Sequence, residues 1–333
     1  MVSHALALIG PDLPWLAPLA GYSDLPFRLL CREYGASVCE TEMVSAKGLI
    51  FQGRGTGRLL ATSRQDSPLV VQLFGKEASY LQESVRILCQ NGIRLFDLNM
   101  GCPVAKVMRQ GAGAAMMGDL SNALDAACAM LKAARDFMHE SGESVYMGFK
   151  MRLGIDDRSI TFEDLACRLE DIGAHWITIH PRTAAQGYGG HARWAFIERV
   201  TRRLDIPVIA SGDIFCADDA LGCMASTGAR GVMYARGALR NPAVFCEHKQ
   251  LCASGTGVTP SLDRLQEMIL RHVRLSREYG SGDRVFFKMR SVIPRYVRNL
   301  PGVKQLRLSL CSCACWSELT DLVEDFFSRV RTG

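Results

Sequence analysis

Leu95-Phe96-Asp97-Leu98-Asn99-Met100, followed at once by Gly101-Cys102-Pro103, is a short apolar run that stops at a glycine, a cysteine and a proline. Its length suits a buried β-strand, and Gly101 and Pro103 mark the turn that ends it. A thiol at such a strand end, between a residue that frees the backbone and one that stiffens it, is positioned rather than merely packed. Seven further runs of this kind occupy residues 14–19, 38–43, 69–74, 145–151, 176–180, 207–211 and 231–235. Between them, segments 79–91, 121–139, 161–172 and 217–226 space their apolar residues at the period of amphipathic helices, with Gly92, Gly173 and Gly228 as expected stops. Eight strand–helix units in about 240 residues predict an α/β fold, the TIM (β/α)8 barrel. A doubly wound open sheet calls for a glycine fingerprint after the first strand, and Ala17-Pro18-Leu19-Ala20-Gly21 does not supply one.

After Phe245 the pattern is helical only, and the Gly/Ser/Thr/Pro-rich segment 253–261 predicts a boundary. A catalytic barrel domain over residues 1–252 and a small C-terminal all-helical domain over 262–333 are expected. With 333 residues, 48% of them hydrophobic and 22% charged, the composition is that of a globular protein rather than a disordered or fibrous one. No apolar run approaches the ~20 residues that span a bilayer, so no membrane partner is expected. Residues 1–10 lack the basic start of a secretory signal. The thirteen cysteines are odd in number and irregular in spacing, which fits reduced thiols and a cytoplasmic location. Cys311, Cys313 and Cys315 alternate as on one face of a strand, but no pair of CxxC motifs accompanies them and no metal is expected.

The net charge of +5 is unevenly spread. Residues 261–310 carry eleven Lys or Arg against four Asp or Glu, while residues 311–333 hold two against four. A neutral body with a basic helical segment is the footprint of a protein that docks a polyanion, although solvated basic helices look the same. No protein partner is implied.

Polar groups gather at the expected C-terminal strand ends, where barrel enzymes build their sites. They are Glu40, Glu42, Gln72, Asn99, Cys102, Lys150, Arg152, His180, Arg182, Asp213 and Arg236. Lys150 emerges from an apolar run, so it needs either a carboxylate partner inside the barrel or a wet cavity. His180 is either a satisfied core histidine or a site residue, and Glu40 and Glu42 suit loop capping better than paired acid–base work. Ser211-Gly212-Asp213-Ile214 and Ala235-Arg236-Gly237-Ala238 follow the seventh and eighth runs, where barrels commonly bind phosphate. Open backbone N–H groups and one guanidinium favour a phosphorylated cofactor such as FMN, with Lys150 against the electron-rich edge of the ring and Gln72 on its pyrimidine portion.

These residues resemble the FMN-dependent tRNA-dihydrouridine synthases over nearly the whole chain. The resemblance rests on Leu16-Ala17-Pro18-Leu19-Ala20-Gly21, Thr41-Glu42-Met43, Val71-Gln72-Leu73-Phe74-Gly75, Asp97 to Pro103, Lys150-Met151-Arg152-Leu153-Gly154, His180-Pro181-Arg182-Thr183, the two phosphate-type loops and Asn299-Leu300-Pro301-Gly302. It implies that Cys102 donates a proton, that Pro18, Leu19, Ala20, Gln72, Lys150, His180, Ser211, Gly212, Asp213, Ala235 and Arg236 line an FMN site, that NADPH is the reductant, and that the helical tail grips tRNA. Three positions depart from the family's usual residues: Leu19 for methionine, Ser211 for asparagine and Ala235 for glycine. If position 235 needed a positive φ, the phosphate loop would have to shift.

The implied reaction reduces the C5=C6 bond of uridine, with hydride from the flavin to C6 and a proton from Cys102 to C5. Asn99, Lys106, Arg109, Arg152 and Arg182 are expected to contact uracil or phosphate, with Arg152 and Arg182 at the rim; surface salt bridges are the alternative for Lys106 and Arg109. In the tail, a helix over 284–298 is expected to carry Arg284, Lys288, Arg295 and Arg298 on one face for tRNA. Two other functions stay open: a flavoenzyme of the dihydroorotate dehydrogenase type acting on a small pyrimidine, and a non-catalytic RNA-binding module on the same fold.

Overall fold

In the computed structural model, residues 7–53, 55–257, 261–280 and 282–332 are described. The strands are β1 (Trp15–Leu16), β2 (Val38–Glu40), β3 (Val44–Ser45), β4 (Leu69–Phe74), β5 (Leu95–Met100), β6 (Tyr146–Met151), β7 (Trp176–Ile179), β8 (Val208–Ser211) and β9 (Gly231–Tyr234). All their pairings are parallel, and β2 bridges β1 and β4, so eight strands close into the expected TIM barrel. Helices Ala78–Gln90, Leu120–Ser141, Phe162–Asp171 and Ala217–Thr227 fill the four segments read as amphipathic.

One expected strand divides. Within run 38–43, Cys39 and Glu40 pair with the start of β4, and the chain resumes pairing as β3 against Leu73 and Phe74. Thr41 holds the break: its N–H donates to the Val70 carbonyl and its Oγ1 accepts from Gln72 N–H. The step outward frees Glu42 to accept from the Gly21 N–H and swings Met43 to the barrel mouth.

Strand parity then sorts the barrel interior into two levels, because side chains two residues apart share a face. Trp15, Val38, Val70, Leu95, Trp176, Ile209 and Met233 form an apolar floor. The residues two positions on, Glu40, Gln72, Asp97, Thr178 and Ser211, are buried polar groups above it. The floor needs one glycine: a Cβ at Gly148 would lie 2.0 Å from the Trp176 indole, so only glycine lets that ring cross the barrel and meet Trp15 edge-on at 5.5 Å. On the opposite face of β5, Phe96, Leu98 and Met100 are fully buried in the outer core, each worth about 1.5–3 kcal/mol of transfer free energy.

The C-terminal region is all helical, as expected: Leu262–Tyr279, Asp283–Tyr296, Val303–Ser312 and Trp316–Thr332. Its apolar core does not stand alone but runs into the barrel helix Leu25–Glu33 through Leu25, Leu29 and Leu30. Arg271 forks onto Glu33, and Lys288 pairs with Asp24. Helix Val244–Ser254 extends into the expected boundary segment, of which residues 258–260 lie outside the described residues. Residues 1–6, part of the stretch read for a secretory signal, lie outside them as well. Among the described residues no helix is long and apolar enough to cross a membrane.

The strand expected over Cys311, Cys313 and Cys315 is absent. Leu306 and Leu310, four residues apart, bury one helical face in the tail core, and that period overrides the alternation of the thiols. Cys311 ends up in the last turn of the helix, and Cys313 caps it.

Candidate active site

The upper level of the barrel interior is a continuous chain of hydrogen bonds. Gln72 Nε2 donates to Asp97 Oδ2 at 2.7 Å and to Glu40 Oε2 at 3.2 Å. Asn99 Nδ2 donates to Gln72 Oε1 at 2.7 Å. Asn99 Oδ1 in turn accepts from the backbone N–H groups of Gly101, at 3.1 Å, and Cys102, at 2.9 Å. Gln72 therefore spends both N–H donors and one lone pair inside the protein and keeps a single acceptor position for a ligand. Glu40 belongs to this chain and Glu42 to the Gly21 loop, so neither is free for paired acid–base work.

Burial pushes the Glu40 carboxyl well above its ordinary range and Asp97 up to about 7. Lys150 is pulled below its ordinary value by the same desolvation, with Glu40 and Asp97 opposing the shift. Among the described residues Lys150 has no carboxylate within ion-pair distance, and its side chain lines the open cavity above. Of the two readings the sequence left open, the close carboxylate pair is not formed among the described residues, although Glu40 and Asp97 lie near enough to act on the ammonium.

Cys102 sits at the mouth, half-buried, on the turn that Asn99 fixes. Desolvation raises its thiol pKa, while the Val104 N–H and the Arg152 charge pull it back. The net shift is upward, so the thiol holds its proton at neutral pH.

Across the barrel, Asp213 organises the loops after β8 and β9. Its carboxylate accepts from Arg236 at 2.8 Å, from Arg182 at 2.7 Å and from the Ala192 N–H at 2.7 Å, and its own backbone is left-handed at φ +54°. Such a conformation in a non-glycine residue is held in place by its surroundings. Gly212 is required beside it, since a Cβ there would lie 2.5 Å from the His180 ring. Arg182 also reaches His180 Nε2 at 3.2 Å, which makes that nitrogen the acceptor. Burial and four nearby cations hold His180 well below the usual imidazole range, so it stays neutral.

Two expectations are corrected here. Arg152 and Arg182 are not rim residues: both are about 2% exposed or less. Arg152 donates to the carbonyls of Gly101, Thr183 and Gly187, and Arg182 to those of Gly189 and Gly190 besides Asp213. Arg182 acts behind the site, while Arg152 still presents part of its side chain to the cavity. Ala235 has φ −116°, so the positive φ that would call for glycine at position 235 is not adopted.

A cavity of about 320 Å³ joins these groups, large enough for a planar heteroaromatic cofactor. Of the residues expected to hold the cofactor, Pro18, Leu19, Ala20, Gln72, Lys150, His180 and Arg236 line it, together with Asn99, Cys102 and Arg152. Ser211, Gly212, Asp213 and Ala235 lie behind the lining, at the ends of β8 and β9. The residues present fit a flavin phosphate: Lys150, without an ion-pair partner among the described residues, would face the ring edge, and Arg236, held by Asp213 through one nitrogen, would keep donors for phosphate. Sequence reading missed Tyr22, Met43, Tyr188 and Leu239. Tyr188 is 61% exposed, between the guanidinium groups of Arg152 and Arg236 at 5.5 and 5.1 Å. Its setting in Gly187-Tyr188-Gly189-Gly190 was the available signal.

The expected tRNA contacts divide. Lys106 and Arg109 are exposed on the segment after Cys102 and form no ion pair among the described residues. Helix Asp283–Tyr296 does not present one basic face. Lys288 turns inward to Asp24 at 2.6 Å and the Tyr22 carbonyl at 3.1 Å, because the junction with the barrel buries its stem. Arg295 lies against the Tyr22 ring and donates to its hydroxyl, and Arg284 lines a cleft with Glu42 and Arg58. Arg298 lies beyond the helix. Arg295 and Arg298 instead join Arg240, Arg290 and Arg307, which the sequence reading did not single out, around a groove of about 710 Å³ with no acidic lining residue.

A family model described as dihydrouridine synthase (Dus) matches residues 15–331. The chain is 34% identical to a probable tRNA-dihydrouridine synthase 1 of Synechocystis sp., over 95% of this chain and 86% of that protein. A probable tRNA-dihydrouridine synthase of Treponema pallidum is 28% identical over 98% of each chain, and one of Mycobacterium tuberculosis is 33% identical over 93% of this chain and 80% of its own. Among solved structures, histamine dehydrogenase from Rhizobium sp. 4-9 superposes with a TM-score of 0.52 at 10% identity, over 78% of this chain and 48% of that longer one, which shows the shared barrel fold.

Proposed function

Because this chain belongs to the dihydrouridine synthase family of flavin-dependent oxidoreductases, we propose that it reduces the C5=C6 bond of uridines in tRNA, with FMN as cofactor and NADPH as reductant. The observation that carries the reading is the juxtaposition of a protonated, half-buried thiol with a cation-lined cavity at the barrel mouth. When bound, reduced FMN supplies the hydride that adds to C6.

The residues supply the rest. Cys102 Sγ gives its proton to C5 and recovers one from solvent, which its half-buried position allows. A thiol held above its ordinary pKa is already in the acid form, so no neighbouring acid is required. Lys150 offers positive charge to the ring edge, and Arg236 offers its free guanidinium donors to phosphate. Asn99 Oδ1 is committed to the two backbone N–H groups and one Nδ2 hydrogen to Gln72, so Asn99 serves the loop backbone first and a uracil edge only through its second Nδ2 hydrogen. A uridine in folded tRNA must be splayed out of its stack at a cost of a few kcal/mol to reach this mouth. The arginine groove of the tail suits the phosphates that offset that cost, and it favours a macromolecular substrate over a free pyrimidine.

The test is anaerobic. Flavin in the purified holoprotein is reduced, and its reoxidation is followed on adding dihydrouridine-free tRNA, free uridine or orotate. Fast reoxidation with tRNA alone is expected. Fast reoxidation with only a small pyrimidine would transfer the reading to a dihydroorotate-type enzyme, and a protein without flavin would favour a binding module.

A further inference from the structure

We propose that Asp97, seconded by Glu40, is a positioning residue for Cys102: as the acceptor end of the chain Asp97–Gln72–Asn99, it locks the backbone turn that carries the thiol. This rests on the reading of Cys102 as proton donor.

Side-chain amides can face either way, and their orientation is dictated by what surrounds them. Here the upper end of the chain is chemically fixed. At the lower end the Gln72 NH2 donates to two carboxyl groups, of Asp97 and Glu40. At the upper end stand two backbone N–H groups, which can only donate, so the Asn99 terminus facing them must be its oxygen. The remaining link, Asn99 Nδ2 to Gln72 Oε1, then has only one possible polarity, and it is the one present. The Gln72–Asp97 and Asn99–Gln72 links are short, at 2.7 Å, and buried, where hydrogen bonds reinforce one another.

Neither Asp97 nor Glu40 lines the cavity. A carboxyl kept this deep at a desolvation cost, with Asp97 Oδ1 and Glu40 Oε1 lacking partners, needs a reason beyond packing. Holding the turn supplies one, since proton delivery to a ring carbon requires the sulfur at a set distance and direction.

The experiment uses the holoprotein with Asp97→Ala, Glu40→Ala and Asp97→Asn. Asparagine keeps an acceptor toward Gln72, so it serves as the conservative rescue. Asp97→Ala is expected to lower kcat per bound flavin by roughly ten- to a hundredfold, as a small misplacement of a reacting group does, with KM for tRNA unchanged. Glu40→Ala, which removes the longer bond, should cost less, and Asp97→Asn should stay close to wild type. In parallel, the rate of Cys102 alkylation by iodoacetamide should rise several-fold in Asp97→Ala, while buried Cys31, Cys39 and Cys89 stay protected.

Wild-type kcat per flavin in Asp97→Ala would overturn the proposal, as would equal losses in the alanine and asparagine variants. Joint exposure of all four thiols would reduce Asp97 to a fold-stabilising role. If Asp97→Ala yields no flavoprotein, Glu40→Ala must show both effects or the idea fails. Should the wild type not reduce tRNA at all, the proposed function falls, but the alkylation comparison still decides the positioning role.

Discussion

The barrel mouth and the arginine groove of the tail are both polar, but they are polar in opposite ways. At the mouth most groups are buried or half-buried and nearly every donor is spoken for: Gln72, Asn99, Arg152, Arg182 and Asp213 hold one another and the backbone at fixed distances. In the groove, five arginines surround open space with no carboxylate among the lining residues. Fixed dipoles in a desolvated site serve a reaction whose atoms must meet at one place. Unneutralised charge at a surface serves a long anion that can settle in several registers. On the proposed reading chemistry and grip are separated, and variants in the two regions should fail in different ways.

The largest effect tests the mouth. Cys102→Ala is expected to reduce turnover by about 10²–10⁴-fold, the usual worth of general acid catalysis, while flavin content and tRNA affinity stay at wild-type level. With Cys102 as the proposed proton donor only the protonated thiol would be active, and its pKa is raised, so activity should hold through neutral pH and decline on an alkaline limb above the ordinary thiol range. A pH–kcat profile with no alkaline limb, or near-normal turnover in the alanine variant, would remove the thiol from the reaction.

How much of this contrast was legible in the sequence differs for the two regions. Strands 69–74 and 95–100 were read to the residue, and the mouth residues followed, because a period of two places Gln72, Asp97 and Asn99 on one face whatever the surroundings. What parity could not reveal was reach. Arg152 and Arg182 stand at strand ends, as a rim residue would, yet their long side chains fold back onto the carbonyls of the Thr183–Gly190 segment, a loop whose path only the tertiary structure sets. The break in run 38–43 likewise depends on Thr41 bonding across to β4. In the tail, helical periodicity located the helix of Lys288, but the groove draws Arg240 from the barrel and Arg307 from a different helix, and no local pattern links residues that far apart.

A smaller effect tests the groove. Arg298→Ala and Arg307→Ala, made singly, should weaken tRNA binding without changing flavin spectra. Each should also flatten the dependence of log Kd on log salt by roughly one unit for each phosphate left without its arginine. Measured across a salt series, an unchanged slope would mean that the phosphates lie elsewhere, with Lys106 and Arg109 beside the mouth as the next residues to substitute.

The smallest effect separates the two regions at their junction. Lys288 was expected on a face turned to tRNA, but its ammonium lies against Asp24 and the Tyr22 carbonyl, with its side chain only 14% exposed. Asp24 also accepts from the Phe27 N–H to cap the helix Leu25–Glu33, so Lys288 ties the tail to the start of the barrel helix on which it packs. Lys288→Met keeps the apolar stem and removes the charge. The pair is partly buried, so its loss should cost roughly 1–2 kcal/mol, or about 1–3 °C in melting temperature for a chain of this size. The salt slope for tRNA should not change, because a cation already neutralised by Asp24 releases no counterion from the RNA. A flattened slope with an unaltered melting temperature would return Lys288 to the binding surface and make the junction part of the grip.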